Sequence, residues 1–162
     1  LCIVLPFLTG QLQGIGQMLC PMHIPVLLCG FICGWPWGLA VGFISPLLRS
    51  AMFGVPPLIP KGLSMAMELA AYGTVSGILY AKLPKKTVNI YVTLITAMLS
   101  GRIVWGIMRS VLAPFTGEPF TLPMFVAGAV TTAIPGIIIQ IILIPLIIMA
   151  LQKNKMIPIE GE

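Results

Sequence analysis

Aspartate is missing from this 162-residue sequence, histidine occurs once, and charged residues make up only 8%. Hydrolytic triads, carboxylate dyads and metal cages need those residue types in groups, so their scarcity excludes most soluble enzymology. A soluble domain carries roughly 25% charged residues, and a third of that share cannot cover a surface facing water. Cations are scarce too. Nine Lys and Arg against four acids give a net charge of +5, and they stand at helix ends or inside apolar runs, not clustered on one wet face as nucleic-acid binding requires. There is no phosphate-binding loop: Gly14-Ile15-Gly16 is a fragment of a dinucleotide fingerprint, with no strand before it and no Walker-type lysine after it. Four cysteines lack a disulfide-framework spacing; Cys29 and Cys33, four apart on one apolar helix face, read as small packing residues, with a metal or redox site as the alternative. An initiator Met is absent as well, and the opening Leu1-Cys2-Ile3-Val4-Leu5-Pro6 reads as the inside of an apolar helix, so the chain is taken as a fragment.

What is present is hydrophobic, at 58% of residues, and it falls into runs long enough for a bilayer, where a spanning helix needs about 20 apolar residues. Leu1–Leu8 is the tail of one helix, and residues 9–22 form a Gly/Gln-rich connection. Ile24–Gly34 is a short apolar helix stopped by Gly34-Trp35-Pro36-Trp37-Gly38, and Leu39 to about Ala51 is the next. Phe53–Pro60 is read as non-helical because its three prolines remove donors and fix φ. Gly62 to about Ala81 is a full span, Lys82–Lys86 a basic turn, Val88 to about Ala113 another span, and Pro114–Pro119 a turn. Leu122–Leu151 is a long last span, expected to bend near Pro135-Gly136 and Pro145, and a basic tail with Lys153 and Lys155 follows.

The fold class expected is an all-α integral membrane protein, about six transmembrane helices in one bundle forming a single domain over residues 1–162. Loops rich in Lys and Arg stay in the cytoplasm, which puts the Lys82/Lys85/Lys86 turn and the tail inside with two crossings between them. Counting backwards, 53–60 is outside, Trp35–Trp37 inside, 9–22 outside and the N-terminus inside, so the topology is N-in/C-in. Gly38 and Gly42 form a GxxxG pair that lets a helix approach closely; the spacing alone does not say whether the neighbour lies in this chain or in a partner.

Charges within membrane spans are costly and mark function by default. Arg49 ends the third helix, Glu68 lies about two turns into the fourth, and Arg102 stands near mid-span of the fifth with Arg109 two turns further out. Arg102, Trp105 and Arg109 share a helix face at i, i+3 and i+7, and Glu68 and Tyr72 share one at i, i+4. A structural role is one alternative: Glu68 neutralises one Arg while Arg109 or Arg49 snorkels to headgroups. Three Arg against one Glu within the spans leave a positive surplus, which a water-filled cavity holding an anionic or polar ligand explains better. Gln11, Gln13 and Gln17 could donate to a ligand or merely be wet, His23 opens the second helix beside them, and Gln140 lies deep in the last helix and needs a partner there.

The string Gly16-Gln17-Met18-Leu19-Cys20-Pro21-Met22-His23-Ile24-Pro25-Val26-Leu27-Leu28-Cys29-Gly30-Phe31, with Pro46-Leu47-Leu48-Arg49-Ser50, Pro56-Pro57 and Glu68-Leu69-Ala70-Ala71-Tyr72-Gly73, resembles the substrate-binding S component of an energy-coupling factor (ECF) vitamin transporter, over nearly the whole chain. The resemblance implies a multi-pass protein of the prokaryotic plasma membrane with no catalytic activity, cofactor or metal of its own. It implies a vitamin pocket on the outer side, lidded by outer connections, and as partners a membrane coupling subunit and two cytoplasmic ATPase subunits. It also implies a small-residue AxxxA motif in the first helix, which residues 1–8 do not carry. On this basis the substrate-binding residues expected are Arg49, Glu68, Tyr72, Arg102, Trp105 and Arg109, with Gln17 and His23 from the lid side. The arginine surplus ranks pantothenate first; hydroxymethylpyrimidine or pyridoxine is neutral and would use Glu68 and stacking on Trp105. The rivals are a membrane enzyme acting on a lipid-phase substrate, with Glu68 as base and the Arg residues holding phosphate, and an autonomous secondary transporter.

Overall fold

A computed structural model describes residues 2–9, 21–54, 57–131 and 133–156, and all regular structure among them is helical. The helices are α1 (Val4–Thr9), α2 (His23–Cys33), α3 (Trp35–Phe53), α4 (Leu63–Lys82), α5 (Thr87–Thr116), α6 (Leu122–Val126) and α7 (Ile134–Lys153). α4 is the hub: α2, α3 and α5 all pack on it, and α7 packs against α5 and α2.

The glycines of the third helix decide how close α3 comes. A Cβ added at Gly38 would stand 2.8 Å from the carbonyl carbon of Gly73, and one at Gly42 would meet the backbone of Leu69 at 2.5 Å. The GxxxG pair therefore meets α4 within this chain, and the two backbones touch where side chains would otherwise hold them apart.

The core is apolar, built from residues such as Val26, Leu27, Leu69, Ile90, Leu94, Ile144 and Ile148. The outside is apolar as well. Ile95, Leu99, Ile103, Ile107 and Val111 form an exposed row at every fourth residue of α5, and Ile134, Ile138, Ile142 and Leu146 do the same on α7. In water such faces would be an aggregation hazard; in lipid they are the solvated surface. α5 and α7 are each long and apolar enough to cross a membrane.

Three boundaries differ from the sequence expectation. Trp35-Pro36-Trp37-Gly38 does not stop a helix but begins one. The chain reverses at Gly34 alone (φ +89°), and Pro36 sits in the first turn of α3, where its missing N–H has no intrahelical acceptor anyway. α5 continues past Ala113 through Pro114 to Thr116 and ends at Gly117 in the left-handed conformation. The last apolar stretch is not one bent helix: α6 is short, Ala127–Thr131 is a wide turn, and Pro135 opens α7 in its first turn instead of kinking it. Before α4, Ile59 is extended, the Gly62 N–H donates to the Pro57 carbonyl (2.8 Å), and the Ser64 hydroxyl donates to the Pro60 carbonyl (2.7 Å).

The end of the bundle carrying the Lys82–Lys86 turn, hereafter the basic end, is tied together at Tyr80. Gln152 Nε2 of α7 donates to the Tyr80 hydroxyl (2.8 Å), the Phe31 ring meets the Tyr80 ring edge-on at 5.0 Å, and Lys85 donates to the Tyr80 carbonyl while lying 3.8 Å from its ring centroid. Burial pulls the Lys85 ammonium below the usual lysine pKa.

Candidate functional site

α4 carries a buried row at every fourth residue: Glu68, Tyr72, Ser76 and Tyr80. Its first half, Leu63–Ala71, is rich in Leu, Met, Ala and Glu, strong helix formers that hold the row in register. Glu68 is 2% exposed, and three donors converge on one oxygen, Oε1: Arg102 Nη1 at 3.0 Å, the Tyr72 hydroxyl at 3.0 Å and His23 Nε2 at 3.4 Å. The Tyr72 ring reaches this place because Gly101 of α5 has no side chain; a Cβ there would stand 2.6 Å from Tyr72 Cδ1. The His23 ring packs on Tyr72 with centroids 5.1 Å apart. An ionised carboxylate only accepts hydrogen bonds, so Glu68 collects one donor from each of α2, α4 and α5 and cross-links the three helices.

A second cluster lies further along α5. Trp105 stacks on Phe125 (6.1 Å) and meets Phe120 edge-on (5.6 Å). The Trp105 ring fits beside Gly128, where a Cβ would stand 2.6 Å from Trp105 Cη2. Arg109 lies 5.5 Å from the Phe120 ring centroid and 3.6 Å from Glu118, whose side chain is 58% exposed. The Arg109 side chain is itself only 12% exposed, so its guanidinium is sheltered against Phe120 while its Glu118 partner reaches solvent. An apolar groove of about 610 Å³ opens beside Phe120 and Phe125, against Ile103 and Ile107 of α5. Arg49 of α3 points Nη1 at the Met22 sulfur, 3.7 Å away, a weak acceptor next in sequence to His23. Among the described residues no group of three or more His, Cys, Asp or Glu could hold a metal ion.

Comparison with known families matches residues 1–148 to the family model described as ECF transporter, substrate-specific component. The chain belongs to that family. Neither the curated proteins nor the solved structures give a match. As an S component it is a membrane protein that binds a small-molecule substrate and associates with the coupling and ATPase subunits of an ECF module, and its family is one of transporters, not enzymes.

Of the residues expected in the site, the S component brings His23, Glu68, Tyr72 and Arg102 into one node. Trp105 and Arg109 stand in the aromatic cluster instead, and Arg49 reaches the node's edge through Met22. Gln17 lies outside the described residues. Sequence reasoning passes over Glu118, Phe120 and Phe125. The signal that could find Glu118 is an α5 long enough to bring Arg109 near the following loop.

Proposed function

We propose that this S component captures a water-soluble vitamin or vitamin precursor at the end of the bundle opposite the basic turn, for ATP-driven uptake by separate hydrolysing subunits. One observation carries the proposal: in a chain of this family, with lipid-suited outer faces, a carboxylate, a guanidinium, an imidazole and a phenol meet in a nearly dry node. In this account Glu68 orders the wall of the pocket by holding Arg102, Tyr72 and His23 in place. Trp105 offers a stacking face, Arg109 and Arg49 meet the substrate from the rim, and Gln17 is kept as a further substrate-binding residue on the sequence alone. Pantothenate, ranked first on the arginine surplus, would place its carboxylate at Arg109 or Arg49, since Arg102 already answers Glu68. Hydroxymethylpyrimidine or pyridoxine would lie on Trp105.

Thermal-shift titration of the purified protein with pantothenate, hydroxymethylpyrimidine and pyridoxine tests the proposal. A ligand at a hundred times its Kd stabilises by about 2.7 kcal/mol, which is about 5–11 °C in Tm for a chain of this size. Flat melting curves with all three would reject these vitamins.

The same proposal takes residues 1–162 as one transmembrane domain of six crossings with both ends and the Lys82–Lys86 turn in the cytoplasm. Lys82 is exposed, so Lys82→Cys, in a background lacking the native cysteines, should resist an impermeant thiol reagent in sealed cells and react after permeabilisation. Strong labelling of intact cells would invert the orientation.

A further inference from the structure

Two buried polar groups are left over by the node around Glu68. Gln140 of α7 is 1% exposed, and neither its amide nitrogen nor its amide oxygen has a hydrogen-bond partner among the described residues. His23 is 3% exposed, and its Nδ1 likewise has none. Buried polar groups are nearly always paired, so a fully unpaired buried primary amide is an anomaly that calls for a missing partner.

Helix geometry places Gln140 level with the node. α7 and α4 are joined at the basic end by the Gln152–Tyr80 hydrogen bond. Gln140 lies twelve residues back along α7 from Gln152, and Glu68 lies twelve residues back along α4 from Tyr80. At 1.5 Å per residue both are about 18 Å from that bond. The buried row Gln140, Ile144, Ile148 and Gln152 keeps α7 turned to the core along this length. α2, which supplies His23, packs against both α4 and α7.

The chemistry of the leftover atoms restricts what can fill the space. Glu68 Oε1 accepts, so His23 Nε2 carries the proton of that contact, and in the neutral ring Nδ1 is then an acceptor awaiting a donor. The Gln140 amide needs at least one donor and one acceptor. A bare carboxylate offers acceptors only and would leave the Gln140 carbonyl and His23 Nδ1 unanswered.

We infer that Gln140 reads the substrate: its amide pairs with an edge of the bound molecule that carries a hydrogen-bond donor beside an acceptor, and His23 Nδ1 takes a second donor. The inference rests on the proposed uptake function and deepens it, since it makes the recognised edge a hydroxyl beside a carbonyl or an amino group beside a ring nitrogen, wherever any carboxylate of the same molecule lies.

The test uses Gln140→Met, which keeps the volume and removes both polar atoms, with Thr93→Val as control. Thr93 Oγ1 is also buried without a partner, but it sits in the second turn of α5 at the basic end. The probes are pantothenate, which has a hydroxyl beside its amide carbonyl, and hydroxymethylpyrimidine, which has an amino group beside a ring nitrogen, each titrated calorimetrically into the full chain. Loss of two hydrogen bonds should weaken the probe that binds by about ten- to a hundredfold in Gln140→Met and leave it unchanged in Thr93→Val. Equal affinity in parent and Gln140→Met overturns the inference, as does an equal loss in Thr93→Val. Melting without ligand is an independent measurement. Gln140→Met should melt higher than the parent, because an unpaired amide has been removed; a lower Tm means that the amide has a partner in the empty protein and overturns the inference. Failure of both probes on the parent counts against the proposed vitamins, and the ligand-free melt then tests Gln140 by itself.

Discussion

Replacing Glu68 with Leu should cost the protein about 3–5 kcal/mol, the range for removing one partner of a buried ion pair and leaving the other behind. Three groups lose the acceptor that they share: the Arg102 guanidinium, the Tyr72 hydroxyl and the His23 ring. Arg102 dominates, because its charge sits on a side chain only 15% exposed. Glu68→Gln should cost less, since a carboxamide oxygen still accepts but no longer carries the charge; about 1.5–3 kcal/mol is the worth of a hydrogen bond to a charged group. The decisive variant is the double one. Glu68→Leu with Arg102→Leu removes both charges together, and much of the lost stability should return, because an apolar pair of similar volume is often as stable as a buried ion pair. Thermal and denaturant unfolding in detergent would measure all three. A double variant as unstable as Glu68→Leu alone would mean that Arg102 is not what Glu68 answers. The prediction separates stability from binding: the double variant should fold yet lose the substrate, since the node that orders the pocket wall is gone.

Glu68 and Tyr72 can be paired from the sequence because a four-residue spacing places them on one helix face, and the side chains do meet. Arg102, Trp105 and Arg109 share a face by the same logic, yet they divide between two clusters. Arg102 reaches across to α4, while Trp105 and Arg109 lie against Phe120 and Phe125. Spacing fixes the direction in which a side chain leaves the helix; the length of an arginine then decides which neighbour it finds, and that depends on tertiary placement. The surplus of positive charge also looks larger in the sequence than it is in space. Glu118 falls in a turn, outside the spans whose charges are balanced, but α5 runs three residues further than Ala113 and brings that carboxylate to within 3.6 Å of Arg109.

Hydropathy is a good guide to which segments avoid water and a poor guide to where a helix stops. Residues 122–151 read as one apolar run, but α6 passes into a wide π-helical turn over Ala127–Thr131 and α7 begins only at Ile134, with Pro135 in its first turn. The small residue at 128 has a use that no transfer scale records: it admits the Trp105 ring. Trp35-Pro36-Trp37-Gly38 misleads in the opposite direction. Proline and glycine suggest a stop, whereas proline in the first turn of a helix is well tolerated and Gly38 serves close packing.

Gly73→Ala should be the most damaging single-methyl change in the bundle. A Cβ there would stand 2.7 Å from Gly38 Cα and would run into the Gly38 carbonyl group as well. Both obstacles are backbone, so no side chain can swing aside; α3 must move off α4 instead. Overpacking of this kind costs about 3 kcal/mol at the upper end of its usual range. Alanine returns about 1 kcal/mol through its better helix propensity, which leaves a net loss of about 2 kcal/mol, or about 4–8 °C in Tm. The methyl would lie one residue beyond Tyr72 and five beyond Glu68, so substrate affinity should fall with stability as the node loosens. Gly38→Ala attacks the same contact from the other helix, with its Cβ 2.9 Å from Gly73 Cα. Once the helices have parted for one methyl the second finds room, so the double variant should lose less than the sum of the two single losses. A melting loss independent of protein concentration would support a contact within one chain. A Gly73→Ala protein as stable as the parent, or one whose loss disappears on dilution, would show instead that the glycine seam meets a second molecule.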